Sequence, residues 1–245
     1  MNDELNSGHR ARLDRKVREK GFDFLEQHEQ LEYILYTVIP RKNVNKEAHQ
    51  LIKRFGSLWG VFNADIEQLT EFKGIGTRAA KFLKTLPELV GITERIIKYK
   101  GKPPRLYTEE EIMEFASTYF HGKLREEAYL FNLTSSFVLR SVRRISTGGE
   151  NHTYMYHKEV VKSAVLDNAA VALVVHNHPC GSAMPSFEDI SLSRQLNDGF
   201  SAVDIKFLDS VIIAGEEYYS IRENGYLKKI KTEKDFEKEY EVQLI

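Results

Sequence analysis

Apolar positions recur with two periods along this chain, and the change between them falls at a Pro/Gly-bearing stretch, KYKGKPPRLYT, at 98–108. Before it they recur every three to four residues, as on one face of a helix. HEQLEYILYTVI (28–39) carries Leu31, Ile34, Leu35 and Val38 at that spacing and predicts a helix that Pro40 stops. KEAHQLIKRFG (46–56) predicts a second helix closing on Gly56, since glycine tolerates the positive φ of a helix end. SLWGVFNA and DIEQLTEF follow as short helical pieces, with Ser57 and Asp65 as caps and Trp59 read as core. In KGIGTRAAKFLKTL (73–86) Gly74 and Gly76 flank Ile75, and a helical pattern starts at once.

Beyond the stretch, strand-like runs enter. EEEIMEFASTYF reads as a helix, AYLFNLTSSFVLRSVRRIS as two strands around Thr134–Ser136, and HKEVVKSAVLDNAAVALVVHNHP as a helix leading into a strand. SFEDISLSRQLNDGFSAV is a helix, and KFLDSVIIAGEEYYSIRENGY gives two strands joined at Gly215. The fold class expected is α/β (α+β), a mixed-sheet domain preceded by an all-α domain. The boundaries read as a helical domain at 1–100, a linker at 101–107, a sheet domain at 108–228 and a charged tail at 229–245.

Composition narrows the class without naming a partner. The 245 residues are 42% hydrophobic and 29% charged, as in a soluble globular protein. The net charge of −1 hides an asymmetry of +6 over residues 1–105 and −7 over 106–245, so only the first part suits a polyanion. A single cysteine, Cys180, excludes an intrachain disulfide and suits a reducing compartment. The opening MNDELNSGHRARLDRK is too polar for a secretory leader, and no run approaches the roughly 18 apolar residues of a membrane span. A cytoplasmic location without membrane attachment is expected.

The chemistry concentrates in VVHNHPCGSAMPSFED (174–189). The apolar run VALVV is a buried strand, and residues i and i+2 of a strand share a face, so His176 and His178 leave its end side by side. A Pro/Gly loop reverses the chain, and Ser186 opens a helix with Asp189 one turn inside it. Two imidazoles and a carboxylate make the three-ligand set of a catalytic Zn²⁺, with the fourth position left to solvent. Such chemistry also needs a carboxylate to move the proton and a donor to steady the oxyanion. Elsewhere, the backbone N–H groups of Lys73, Gly74, Ile75 and Gly76, at a helix start, have the character of a phosphate-binding end. The remaining histidines (His9, His28, His49, His121, His152 and His157) read as surface or packing residues.

His-x-His-Pro, seven residues and Ser-x-x-Asp together resemble the JAMM (JAB/MPN) metallopeptidase motif, and HNHPCGSAMPSFED in full is similar to the RadC family. The likeness extends to GHRARLDRKVREKGFDF, IPRKNVNKEA, RFGSLWGV, the KGIG stretch and VDIKFLDSVIIAG. It implies a zinc domain of JAB/MPN type behind a helical region with a helix-hairpin-helix motif. His176, His178 and Asp189 are the implied zinc ligands and Ser186 the implied oxyanion hydroxyl. The implied general base lies in LREEAYLFNL, as Glu126 or Glu127, with the family pattern favouring Glu126. Cys180 stands where the family usually has serine and reads as a packed thiol, and Ser210 stands where it usually has histidine.

Two functions follow from the resemblance. One is a zinc-dependent hydrolase that cleaves a peptide or isopeptide bond of a protein or peptide substrate with a zinc-bound water. The other is a DNA-associated repair or recombination protein that grips the backbone through Lys73–Gly76, its zinc domain structural or nucleolytic. A metal-stabilised interaction module without turnover is a third reading, against which the intact ligand set argues.

Overall fold

The computed structural model describes residues 2–40, 42–147, 157–179 and 181–228. Cys180, His152 and the charged tail at 229–245 lie outside the described residues. The chain divides into two compact units, one ending at Thr93 and the other beginning at Glu94.

The first unit is all-helical: α1 (Asn2–Lys20), α2 (Gln27–Tyr36), α3 (Asn45–Phe55), α4 (Leu58–Asn63), α5 (Ile66–Thr70) and the larger part of α6 (Thr77–Tyr99). Leu31, Leu35, Val44, Leu51, Val61, Leu69, Ile75 and Leu83 form its core. Local signals set the helix ends. Ser57 caps α4 by accepting the Gly60 N–H at 3.0 Å, Asp65 caps α5 in a capping box with Gln68, and Gly56 ends α3 at φ 81°. Trp59 corrects its expected place in the core, because it is 51% exposed. On the short α4, Val61 takes the inward position, and a residue two places earlier on a helix faces the other way. Glu32 is fully buried and tolerable there because His9 (3.0 Å), Asn45 Nδ2 (2.9 Å) and the Tyr36 hydroxyl all bond its carboxylate.

The second unit is a three-layer sandwich. Its sheet comprises β1 (Glu127–Leu133), β2 (Leu139–Thr147), β3 (Val171–Asn177), β4 (Lys206–Ala214) and β5 (Glu217–Ser220), in the order β2-β1-β3-β4-β5. Only β3 and β4 run parallel, joined by the crossover helix α9 (Phe187–Ser201); the other pairs are antiparallel. Leu130, Val174 and Ile212 meet Val160 and Ala164 of α8 (His157–Leu166) and Leu196 and Phe200 of α9. On the opposite face Phe131, Leu173, Val175 and Val211 meet Ile112 and Phe115 of α7 (Glu109–Ala116). A sheet covered on both faces explains why VALVV is apolar throughout rather than alternating.

The stretch around 101–107 is built into this unit. Leu106 is fully buried, its N–H donates to Phe137 O at 2.9 Å, and Leu139 N–H donates to Pro104 O at 2.8 Å. Residues 104–106 thus pair with the beginning of β2. The division between the units falls within α6, because the last turns of that helix pack on the second unit. Arg95 donates to Thr118 Oγ1 at 2.7 Å and lies over the Tyr119 ring, and Tyr99 packs edge-on against Phe115. Among the described residues no helix is long and apolar enough to cross a membrane.

Candidate metal centre

The site grows from the ends of three elements of the sheet domain. β3 delivers His176 and His178 on one side of the sheet. The backbone of His178 is still held, its N–H donating to Ile213 O of β4 at 2.9 Å, so the second imidazole starts from a fixed point. The returning loop is tied down where Ala183 N–H meets Glu217 Oε2 at 3.0 Å. α9 then begins at Ser186. Ser-x-x-Asp is here a capping box: Ser186 Oγ accepts the Asp189 N–H at 3.1 Å, and Asp189 Oδ2 accepts the Ser186 N–H at 2.8 Å. The Ser186 hydroxyl also donates to Asp189 Oδ2 at 2.7 Å. Ser186 therefore starts the helix and orients the carboxylate together.

Ligand atoms of His176, His178 and Asp189 lie within 4.8 Å of one another. His176 Nε2 is 3.2 Å from His178 Nε2 and 3.2 Å from Asp189 Oδ1, and His178 Nε2 is 3.7 Å from Asp189 Oδ2. A tetrahedral ion with bonds of about 2.0–2.2 Å places neighbouring donors roughly 3.3–3.6 Å apart, so these residues fit such an ion. The tautomer fits as well. His178 Nδ1 lies 3.0 Å from Ser182 O. A carbonyl only accepts, so Nδ1 is the donor to it and Nε2 is the nitrogen turned towards His176 and Asp189. Burial opposes ionisation of Asp189, but hydrogen bonds from His176 and Ser186 and the attraction of His176 hold it well below the usual carboxylate range. The carboxylate is thus ready as an anionic ligand.

Beside these groups is a cavity of about 40 Å³, lined by Glu126, Ala128, Val174, His176, Asp189 and Ser210 among others. It has room for a water molecule. The two candidate glutamates stand at the start of β1. Glu126 is exposed and lies just outside the strand, whereas Glu127 is its first residue, in phase with Tyr129 and Phe131 on the α7 side. Glu127 borders the cavity too, but its carboxylate accepts the Tyr129 hydroxyl at 2.7 Å and pairs with Lys123 at 3.3 Å. Ser210 is buried against the cavity.

Asn177 received no role from the sequence, because alternation turns it away from the histidines. It is buried and bonds the backbone on either side of Glu126, accepting Glu127 N–H at 2.7 Å and donating to Arg125 O at 3.2 Å. An amide placed between two histidines at the end of a buried strand was the available signal.

In the helical unit, Lys73, Gly74, Ile75 and Gly76 form the turn into α6. Ile75 is buried and the other three are exposed. Gly74 has φ 104°, and a Cβ there would collide with Lys42, whose ammonium pairs with Glu47 at 2.5 Å. The positive φ is what calls for glycine, since the Lys42 ammonium, at the end of a flexible side chain, can move aside.

Comparison with known proteins places the chain among relatives. The RadC-like JAB domain family matches residues 106–226. The UPF0758 protein FN0909 of Fusobacterium nucleatum is 30% identical over 235 residues, covering 93% of this chain and 100% of that protein. A UPF0758 protein of Clostridium botulinum is 30% identical over 206 residues, covering 84% of this chain and 89% of that protein.

Proposed function

Because the chain belongs to the RadC family, with a JAB domain of RadC type, we propose that it is a zinc-dependent hydrolase of the JAMM type acting on a peptide or isopeptide bond. The convergence of His176, His178 and Asp189 on one point, beside a cavity that also takes Glu126, carries this reading. Zinc held by those three residues would polarise the scissile carbonyl and bring the pKa of water towards neutrality.

The chain's own groups do the rest. Glu126 takes the proton from the attacking water and returns it to the leaving amine, which is why a carboxylate free of the ligand set is needed. Glu127, committed to Tyr129 and Lys123, holds the start of β1 in place. Ser186 keeps Asp189 aimed through its N–H, so its hydroxyl can leave Asp189 Oδ2 and turn its proton to the oxyanion as that develops. Val174 and Leu192 give the cavity an apolar wall that limits competing water.

The test is Glu126→Gln in a screen of linear and isopeptide-linked peptides. Hydrolysis falls by about 10²–10⁴ with zinc content unchanged. An active Glu126→Gln protein, or a larger loss with Glu127→Gln, refutes the reading.

A DNA contact by the helical unit is a second reading, favoured by the exposed turn at Lys73–Gly76 with Arg78 beside it at the start of α6. At Gly76 a side chain meets open space, so Gly76→Asp places a carboxylate at the helix start without a clash. Duplex affinity then falls, and wild-type affinity declines steeply with salt. Affinity indifferent to both removes this reading.

A further inference from the structure

We infer that Asn177 is the positioning residue for Glu126, so that the strand bearing both histidines also aims the general base; the inference rests on the hydrolase reading above. The β1–β3 ladder runs from Leu133↔Val171 to Ala128↔His176. β1 itself begins at Glu127, so Glu126 lies one residue outside the strand. There the side chain of Asn177 takes over from the ladder. Its carbonyl accepts the Glu127 N–H at 2.7 Å, and its amide donates to Arg125 O at 3.2 Å.

These two backbone groups belong to the two peptide planes that meet at the Glu126 Cα. One planar amide grips both. Fixing both planes fixes φ and ψ of Glu126, and with them the direction of its Cβ. The geometry also explains the choice of residue. Asn177 is 4% exposed, and a buried amide is costly unless hydrogen-bonded. Alanine leaves both backbone groups without this partner. Aspartate can still accept from Glu127 N–H, but it has no donor for Arg125 O. From the other face, Tyr129 and Lys123 hold the Glu127 carboxylate, which keeps the neighbouring residue from turning the pair over. Asn177 touches no reacting atom in this scheme and acts only through Glu126.

The experiment reads the Glu126 carboxyl directly and needs no substrate. The full chain is labelled with carboxyl-¹³C glutamate, and the Glu126 resonance is assigned by its loss in Glu126→Gln. Zinc ions are then added to wild type, Asn177→Ala and Asn177→Asp. Zinc shifts the wild-type resonance. In Asn177→Ala the shift shrinks about twofold or more, because the carboxylate no longer stays close to the ion. Zinc affinity, read by chelator competition, stays within about threefold, since the three ligands are untouched. Exchange of the Glu127 amide rises about fivefold, as for loss of one hydrogen bond. Asn177→Asp falls between the two.

Faster Glu127 exchange with a full zinc response in Asn177→Ala overturns the inference and leaves Asn177 a structural tie. If Asn177→Ala does not fold or does not bind zinc, Asn177→Asp decides, and a full wild-type response there overturns it. If wild type binds zinc and Glu126 does not respond, the hydrolase reading fails, and the inference fails with it.

Discussion

Replacing Asp209 by Asn should change how the sheet domain responds to pH while leaving the site intact. Asp209 lies on β4, 6% exposed, and burial pushes its carboxyl up to about 6. The Ser220 hydroxyl, the Arg222 and Ser210 N–H groups and the Arg222 charge work against that rise. In the unfolded chain the group titrates near the ordinary value of about 3.9. Between about pH 4 and 6 the folded protein therefore keeps a proton that the unfolded chain has released. Its contribution is complete below pH 4 and is lost as pH rises through 6. Two pH units correspond to about 3 kcal/mol. Asparagine suits the site. Its Oδ1 can accept from Ser210 N–H and Arg222 N–H as Asp209 Oδ1 does, and the Ser220 hydroxyl can turn from donor to acceptor. Some attraction to the buried Arg222 is lost, so the expected gain at pH 7 is on the order of 1–3 kcal/mol. Urea titrations followed by far-ultraviolet circular dichroism at pH 4.5, 5.5 and 7 measure it. Trp59, the single tryptophan, reports the helical unit as an internal control. Parallel stability curves for wild type and Asp209→Asn from pH 4.5 to 7 would refute the reasoning.

Zinc should stabilise the folded sheet domain by about 2.7 kcal/mol at one hundred times its dissociation constant, and His178→Ala or Asp189→Asn should remove that gain in calorimetry. Leu106→Ala should destabilise the sheet domain by about 2–5 kcal/mol in urea unfolding, because Leu106 is fully buried; a cost below about 0.5 kcal/mol would return residues 104–106 to the status of a linker.

The strand that carries the histidines was legible because its apolar run is short and β-branched, which favours a strand in a sheet covered on both faces, and alternation then aligns His176 with His178. Ser186 and Asp189 were legible for a local reason, since a capping box lies within four residues. The helix starts at Ser57 and Asp65 were legible on the same ground. Long-range choices were less so. Nothing local says that Val61 rather than Trp59 turns inward, that Arg95 and Tyr99 take the end of α6 into the second unit, or that residues 104–106 pair with the beginning of β2. Where β1 begins, between Glu126 and Glu127, was not legible locally, because it depends on where pairing with β3 ends. Asn177 escaped notice because its partners are backbone groups about fifty residues away.

On the proposed reading, the first turn of α9 would influence ion uptake. Asp189 reaches its place only once that turn has wound, and the winding is held by the same Ser186 groups that grip the carboxylate. Fraying of one helical turn and readiness to capture a cation are therefore a single equilibrium, and apparent affinity scales with the wound fraction. If the site holds zinc as proposed, any solvent or neighbouring substitution that loosens this helix start would modify ion affinity without altering His176, His178 or Asp189.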